Sequence, residues 1–460
     1  MAAELRQIDE LVWEIEAGAR ADMRVPARVF ADDRLIEAIR GDDALTQLQN
    51  VATLPGIVGA AIAMPDVHQG YGFPVGTVAA TELPDGVVSP GGVGYDINCG
   101  VRLLALPLTR GELGERKQAL VHEISRRVPA GAGRYGKARL RPPDLERVLV
   151  EGPRTLVERH GMGSAEDVEA TESQGRLDGA DPAHVSERAH ERGAPQLGTM
   201  GSGNHFVELQ YVRRLHDADA GLEGEQLTVL IHSGSRGLGH QVCTDFVKRM
   251  DARLDARGIV LPDRQLSCAP VSSDDGRAYL AAMAAAANFA WANRHAIAHA
   301  VRQAVRSVLG ARAAAGTRQV YDVAHNVAKV ESHGGRELCV HRKGATRAFP
   351  GQPVFIPGSM GTASFVLSGR PEAMDMTFGT VCHGAGRALS RTRARKQVEG
   401  AELRRQLEAQ GITVRSPSNR GLAEEAPFAY KDVQAVVDVV VRAGLADPVA
   451  ELAPIGVVKG

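Results

Sequence analysis

The sequence lacks long apolar runs, an excess of charge of either sign, and a cysteine framework. No stretch of its 460 residues approaches the roughly 20 apolar residues that a membrane span requires, so no membrane partner is expected. Lys and Arg number 54 against 55 Asp and Glu, a net charge of −1. The molecule as a whole is therefore not steered toward nucleic acid, and any basic surface must be local. Five cysteines, an odd number with no CxxC, exclude a disulfide scaffold and predict a reducing, cytoplasmic setting. The opening "MAAELRQIDELVWEIEAGAR" is charged and predicts a helix rather than a signal peptide. No internal repeat, no low-complexity linker, no GxxxxGK[ST] phosphate loop and no regular βαβ rhythm are present, which argues against a Rossmann-type fold.

Glycine, by contrast, is plentiful: 51 residues, enough to build many turns and close backbone approaches. "AYLAAMAAAANFAWANRHAIAHAVRQAVRSVL", residues 278–309, has neither Gly nor Pro and predicts one long helix. Residues 136–195 are polar with weak periodicity and predict helices and loops decorating a core. Elsewhere one pattern recurs. "QLTVLIHSGSRGLGHQV" is a β-branched run that stops at His232, "RQVYDVAHNVAKVE" stops at His325, and "MTFGTVCHGAGRAL" stops at His383. "GTMGSGNHFVELQYV" reverses the order, with Asn204 and His205 ahead of the strand. Strand ends that meet tight loops are where a rigid scaffold displays chemistry. The expected fold is α+β: one large mixed domain over residues 1–460, built around a large sheet, with the site at strand ends and loops.

"GGVGYDINCGVRLL" places Asp96 three residues before Cys99 in a glycine-rich loop. A lone Cys is most often a small buried hydrophobe, and a lone His at a strand end is usually just hydrogen-bonded. Asp96, Cys99, His205, His232 and His325 in one kind of local context point instead to metal ligands. A thiolate can bridge two cations, so this set could serve a two-metal site for phosphoryl transfer. Ligand softness alone favours zinc or copper over manganese, and the spacing is not that of a zinc finger. His68, in "MPDVHQGYGFPVG", is a further loop histidine whose Pro and Gly neighbours mainly mark a rigid turn.

In "CHGAGRALSRTRARKQ", Gly384 and Gly386 predict the opening of a helix and hence an anion site. His383 precedes it and Arg387 follows one turn later, so imidazole and guanidinium could face one phosphate. From Thr380 to Arg405 there are seven Lys or Arg against two Glu, and from Glu123 to Arg141 six against one. Two such runs in a neutral chain suggest a phosphate-tracking groove. Arg236, beside His232, could meet a phosphate near the metals. "FIPGSMGTASFVL" predicts strand, polar turn, strand, with hydroxyls and amides that could line a nucleotide pocket. The apolar ending "APIGVVKG" predicts a docked tail that carries Lys459 into the body.

Taken in order, "PDVHQGYGFPVG", "GGVGYDINCGVRLL", "GSGNHFVELQ", "HSGSRGLGHQV", "DVAHNVAKVE", "PGSMGTASFVL", "CHGAGRALSR" and "GVVKG" resemble the RtcB family of RNA-splicing ligases, from about residue 50 to the end. The resemblance implies a single α+β domain and two manganese ions, in place of the zinc that softness favours. It also implies GTP-dependent joining of an RNA 2′,3′-cyclic phosphate or 3′-phosphate end to a 5′-hydroxyl end, in tRNA splicing or RNA repair. By matching motif, Asp96, Cys99 and His205 resemble the ligands of one metal, and Cys99, His232 and His325 those of the other. His383 resembles the residue guanylylated by GTP, with Arg387 beside it. Asn204, Phe206, Glu208, Asn326, Pro357, Gly358, Ser359, Met360, Ser364, Gly384, Ala385, Gly386, Tyr430 and Lys459 resemble guanylate contacts, and Arg236 and Arg391 RNA-phosphate contacts. Gln69 stands where the family pattern has Trp, and Thr77 where it has Gly. The need for an activating partner protein is left open. Two other readings stay in view: a dinuclear metallophosphoesterase acting on nucleic-acid ends, with no covalent histidine, and a non-catalytic RNA-binding protein.

Overall fold

The computed structural model describes residues 4–131, 133, 136 and 140–460. Their class is α+β, as expected, but two large sheets carry the core where the sequence suggests one. The seven-stranded sheet runs in the order Arg6–Asp9, Val12–Ile15, Ala27–Phe30, Ile57–His68, Val75–Glu82, Arg336–Lys343, Asn326–His333. The eight-stranded sheet runs Arg318–Ala324, Gly100–Thr109, Gln226–Ser233, Phe206–Leu215, Ala446–Lys459, Ser364–Gly369, Pro353–Ile356, with Thr413–Arg415 parallel to Ala446–Lys459. The chain passes from one sheet to the other at His325, between Arg318–Ala324 and Asn326–His333.

The N-terminal segment is a β-hairpin, not a helix: Arg6–Asp9 pairs antiparallel with Val12–Ile15. Leu11, Val12 and Ile15 would stripe a helix equally well. The neighbouring strand Ala27–Phe30 decides, by pairing with Val12–Ile15, while Trp13 Nε1 donates to the Ala31 carbonyl at 3.1 Å. This is tertiary pairing overriding local propensity.

The predicted long helix spans Asp274–Leu309 and is capped where Ser273 Oγ accepts from Gly276 N at 3.1 Å. It packs against helices Lys117–Arg127, Pro142–Glu151 and Arg236–Asp251. Its small alanines permit that close approach on several sides, and residues 282–298 are buried without interruption. Residues 136–195 supply short helices, as expected, yet they also reach inward. Glu172 is fully buried and accepts from Ala324 N at 2.7 Å and Lys329 Nζ at 2.6 Å. Arg134, Lys137 and Arg139 of the first basic run lie outside the described residues. Among the described residues no helix is long and apolar enough to cross a membrane.

Candidate active site and metal centre

Strand register determines which side chains meet. Gly100 lies opposite Ala324 on one side and Ser233 on the other, and His232 lies opposite Phe206. Cys99, His205, His232 and His325 therefore emerge at one end of four neighbouring strands. Asn98, just before Cys99, holds φ +52 without being glycine. Arg294, fully buried, fixes it: Nη1 donates to the Asn98 and Ser233 carbonyls at 2.7 and 2.9 Å, and Nη2 to Asn98 Oδ1 at 3.0 Å. Such strain persists only where surrounding contacts over-determine it.

The ligand atoms converge. Cys99 Sγ is 3.3 Å from Nε2 of both His205 and His232, and His232 Nε2 is 3.3 Å from His325 Nε2. His205 Nε2 is 2.9 Å from Asp96 Oδ2. His205 Nδ1 donates to the Met200 carbonyl at 2.9 Å, so in the neutral ring Nε2 presents a lone pair to a carboxylate. Lone pairs at that distance repel unless a proton or a metal cation lies between them. Burial, with the neighbouring imidazoles, holds His232 and His325 well below the ordinary range, which keeps them in the neutral, ligating form. Burial and then Asp96 push the Cys99 thiol well up, and a bound cation is what returns it to thiolate. Burial also pushes the Asp96 carboxyl up, yet His205 and Arg236 hold it down to about 2. Two triads result, Asp96–Cys99–His205 and Cys99–His232–His325, each with ligand atoms within 4.8 Å of one another and sharing Cys99. Thiol, carboxylate and imidazole are groups that would hold divalent cations here, with Cys99 common to both triads.

His383 adjoins the second triad, its ring 4.9 Å centroid to centroid from His325. Its Nδ1 lies 2.6 Å from Asp66 Oδ2, and its backbone N–H donates to the same oxygen at 3.0 Å. An ionised carboxylate can only accept, so Nδ1 carries the proton and Nε2 the lone pair. Gly384 and Gly386 do not open a helix; the nearest helix is Arg391–Arg395. Gly386 adopts φ +70, and a Cβ there would lie 2.1 Å from the Asp66 carbonyl oxygen. Close packing of this loop on strand Ile57–His68 takes the place of a helical turn. Arg387 accordingly lies opposite Tyr430 in an isolated bridge, with Nη1 bound to Glu425 at 3.1 Å and Tyr430 OH at 3.2 Å.

A cavity of about 390 Å³ joins these groups. Cys99, His232, His325 and His383 line it, as do Asn204, Phe206, Asn326, Pro357, Gly358, Ser359, Met360, Gly384, Ala385, Gly386, Arg387, Arg391, Tyr430 and Lys459. Glu208 and Ser364 stand behind the wall, both bound by Gln210 Nε2, at 2.6 and 3.0 Å. Burial pushes Glu208 up to about 8, and burial pulls Lys459 down to about 8. The docked tail is as expected: Lys459 is 3 % exposed, at the end of Ala446–Lys459, with Nζ 5.5 Å from the Phe206 ring centre. Arg236 instead lines a larger adjoining groove, with its Nε on Thr199 Oγ1 at 3.2 Å.

The chain matches the family model described as tRNA-splicing ligase RtcB over residues 47–460. It belongs to the RtcB family. A "tRNA-splicing ligase RtcB" of Archaeoglobus fulgidus is 49% identical, with 99% of each chain covered. One of Thermococcus kodakarensis is 50% identical with the same coverage. An "RNA-splicing ligase RtcB" of Mycobacterium tuberculosis is 50% identical over 90% of this chain and all of its own.

The RtcB resemblance in the sequence missed three groups at this site. Asp66 passed unassigned inside "PDVHQG", although an aspartate in an apolar strand needs a partner to be buried. Lys343 lines the cavity, its ammonium on the Phe73 carbonyl at 2.9 Å, and burial pulls it down to about 7. Glu425, 1 % exposed, holds both Arg387 and Arg391. His68 also lines the cavity, which a rigid-turn reading alone does not predict.

Proposed function

We propose that this RNA ligase joins an RNA 2′,3′-cyclic phosphate or 3′-phosphate end to a 5′-hydroxyl end, using GTP and manganese, through a guanylate carried on His383. The observation that carries the route is the placement of the His383 ring: its Nδ1–H donates to Asp66, and the ring abuts the metal-ligand cluster in one cavity. An imidazole with a free Nε2 is a competent nucleophile. Nε2 attacks the α-phosphorus of GTP, the N–P bond forms, and pyrophosphate leaves. Asp66 stabilises the positive charge that develops on the ring. An oxygen of the RNA 3′-phosphate then attacks the same phosphorus and breaks the N–P bond. The 5′-hydroxyl finally attacks the RNA 3′-phosphorus, releasing GMP. A cyclic end must first be opened by water. Two bound manganese ions would offset charge on the transferring phosphates. On this reading Lys459, Ser359 and the amides of residues 384–386, which line the cavity, hold the guanylate, and Glu208 supports the pocket from behind its wall.

Residues 1–460 act as one catalytic unit on this reading, since both sheets contribute to the cavity. Buried, unpaired cysteines suit a reducing cytoplasm. Splicing of tRNA, named for the archaeal relatives, and RNA repair both present such ends. The test is incubation with manganese and radiolabelled GTP, then denaturing electrophoresis. A labelled band that His383→Ala abolishes supports the reading, followed by joining of a defined pair of RNA ends. A protein that cleaves RNA ends with no labelled band is a dinuclear phosphoesterase instead. Labelling that requires added cell extract would point to an activating partner.

A further inference from the structure

Two cavities meet at the metal cluster. The 390 Å³ cavity holds His383, and beside it runs a groove of about 1040 Å³. Tyr95, Asp96, Asn204 and Arg391 line both. The groove is lined by Arg192, Arg236, Arg391 and Arg420 against Asp96, Glu191 and Glu424, so guanidinium groups are available to a phosphate backbone. Tyr95 and His240 add aromatic rings to its lining. The Tyr95 ring stacks on His240 at 4.9 Å and 30°, and Tyr71 braces Tyr95 edge-on at 5.3 Å and 61°. His240 is exposed, and Tyr71 and Tyr95 are half-buried. His240 and Arg236 stand four residues apart on helix Arg236–Asp251, about 6 Å apart along its axis, and both line the groove. One helix turn thus presents a cation and a π-surface side by side.

We propose that Tyr95 and His240 form a stacking shelf for the terminal nucleobase of an RNA strand entering through this groove. Every base offers a π-face, and single-stranded RNA is gripped by aromatic rings interleaved with Arg. Tyr95 immediately precedes Asp96, so a base stacked on its ring brings the terminal sugar and phosphate of its own nucleotide to the metal ligands. Phosphate contacts alone let a strand slide; a stacked terminal base fixes where it stops. Burial and Arg192 hold the His240 imidazole below its ordinary range, so near neutral pH it offers an uncharged ring.

The shelf rests on the ligase reading, and the experiment separates the two. Binding of RNA is measured by fluorescence anisotropy with manganese and without GTP, with an abasic residue placed at the terminal nucleotide of the 3′-phosphate strand or of the 5′-hydroxyl strand. The wild type should bind one of the two abasic strands about tenfold more weakly than its intact counterpart. Tyr95→Ala should weaken the intact strand by a similar factor and show no further abasic penalty, with His240→Ala intermediate and Tyr95→Phe like wild type. No abasic penalty at either end in the wild type overturns the shelf, and so does a penalty that survives in Tyr95→Ala. Radiolabelling of the wild type by GTP is run alongside: its absence refutes the ligase reading, while the abasic comparison still decides the shelf.

Discussion

Asp66 Oδ2 accepts both the ring Nδ1–H and the backbone N–H of His383, at 2.6 and 3.0 Å. One carboxylate oxygen therefore sets the tautomer and the position of the imidazole together. Lys431 steadies the strand on either side of Asp66, donating to the Pro65 and Val67 carbonyls at 3.1 and 2.5 Å.

Asp66→Asn should preserve the shape and an accepting oxygen for His383 but remove the negative charge that stabilises the ring as it becomes cationic. Guanylylation is expected to fall on the order of 10²- to 10³-fold, the scale of one lost electrostatic contact to a developing charge. The rate of label transfer from GTP measures it, and a variant within threefold of wild type would remove Asp66 from the mechanism.

Cys99 is the atom shared by both metal triads. Cys99→Ala should lower bound manganese at both positions, since each loses a ligand, whereas His325→Ala should spare the Asp96–Cys99–His205 triad. Metal analysis after dialysis gives the stoichiometry. Equal loss in both variants would contradict separate sites.

Gly386→Ala places a Cβ against the Asp66 carbonyl at a backbone angle that L residues rarely adopt. The loop carrying His383 must shift, while the metal ligands are untouched. The expected outcome is full manganese content with guanylylation reduced about 10²-fold or more, the usual effect of an ångström-scale misplacement.

Glu208 makes stability depend on pH. Burial raises it to about 8 in the folded chain, from an ordinary value of 4.5. Between those values the folded state keeps a proton that the unfolded chain releases, so the contribution of Glu208 to stability is largest below pH 4.5 and falls as pH rises toward 8. Lys459, pulled down to about 8 from 10.5, acts in the opposite sense only between pH 8 and 10.5. Glu208→Gln should flatten the lower window and gain about 1–3 kcal/mol over wild type near pH 8, read from denaturant midpoints without GTP.

Arg294→Met should weaken fold and site together, since Arg294 pairs with Asp322, Nη2 to Oδ1 at 2.7 Å, and also holds the turn before Cys99. Asp322 keeps Arg102, whose Nε lies 2.7 Å from it, but the Asn98 and Ser233 carbonyls lose their donor. Breaking a buried ion pair costs about 3–5 kcal/mol. Chemical denaturation should show that loss, together with weaker metal binding as the Asn98–Cys99 turn relaxes.

Local chemistry made much of this protein legible in one dimension. An alanine-rich run without Gly or Pro specifies most of the helix Asp274–Leu309, β-branched runs ending at Gly, Ser or Asn loops specify the strands that display His232, His325 and His383, and an apolar ending specifies the docked tail with Lys459. The ligand residue types could be read as well, because thiolate, imidazole and carboxylate are the groups that bind cations wherever they lie. Three-dimensional packing decided the rest. Leu11, Val12 and Ile15 fit a helix or a strand alike, and only the neighbouring strand Ala27–Phe30 settles them. Gly384 and Gly386 permit a helix start or a tight loop, and close contact with Asp66 selects the loop. That same contact supplies the carboxylate for His383 from 317 residues away, and strand register brings Cys99, His205, His232 and His325 to one sheet end. Pairing between distant segments depends on which surfaces bury one another, and no local pattern carries that information.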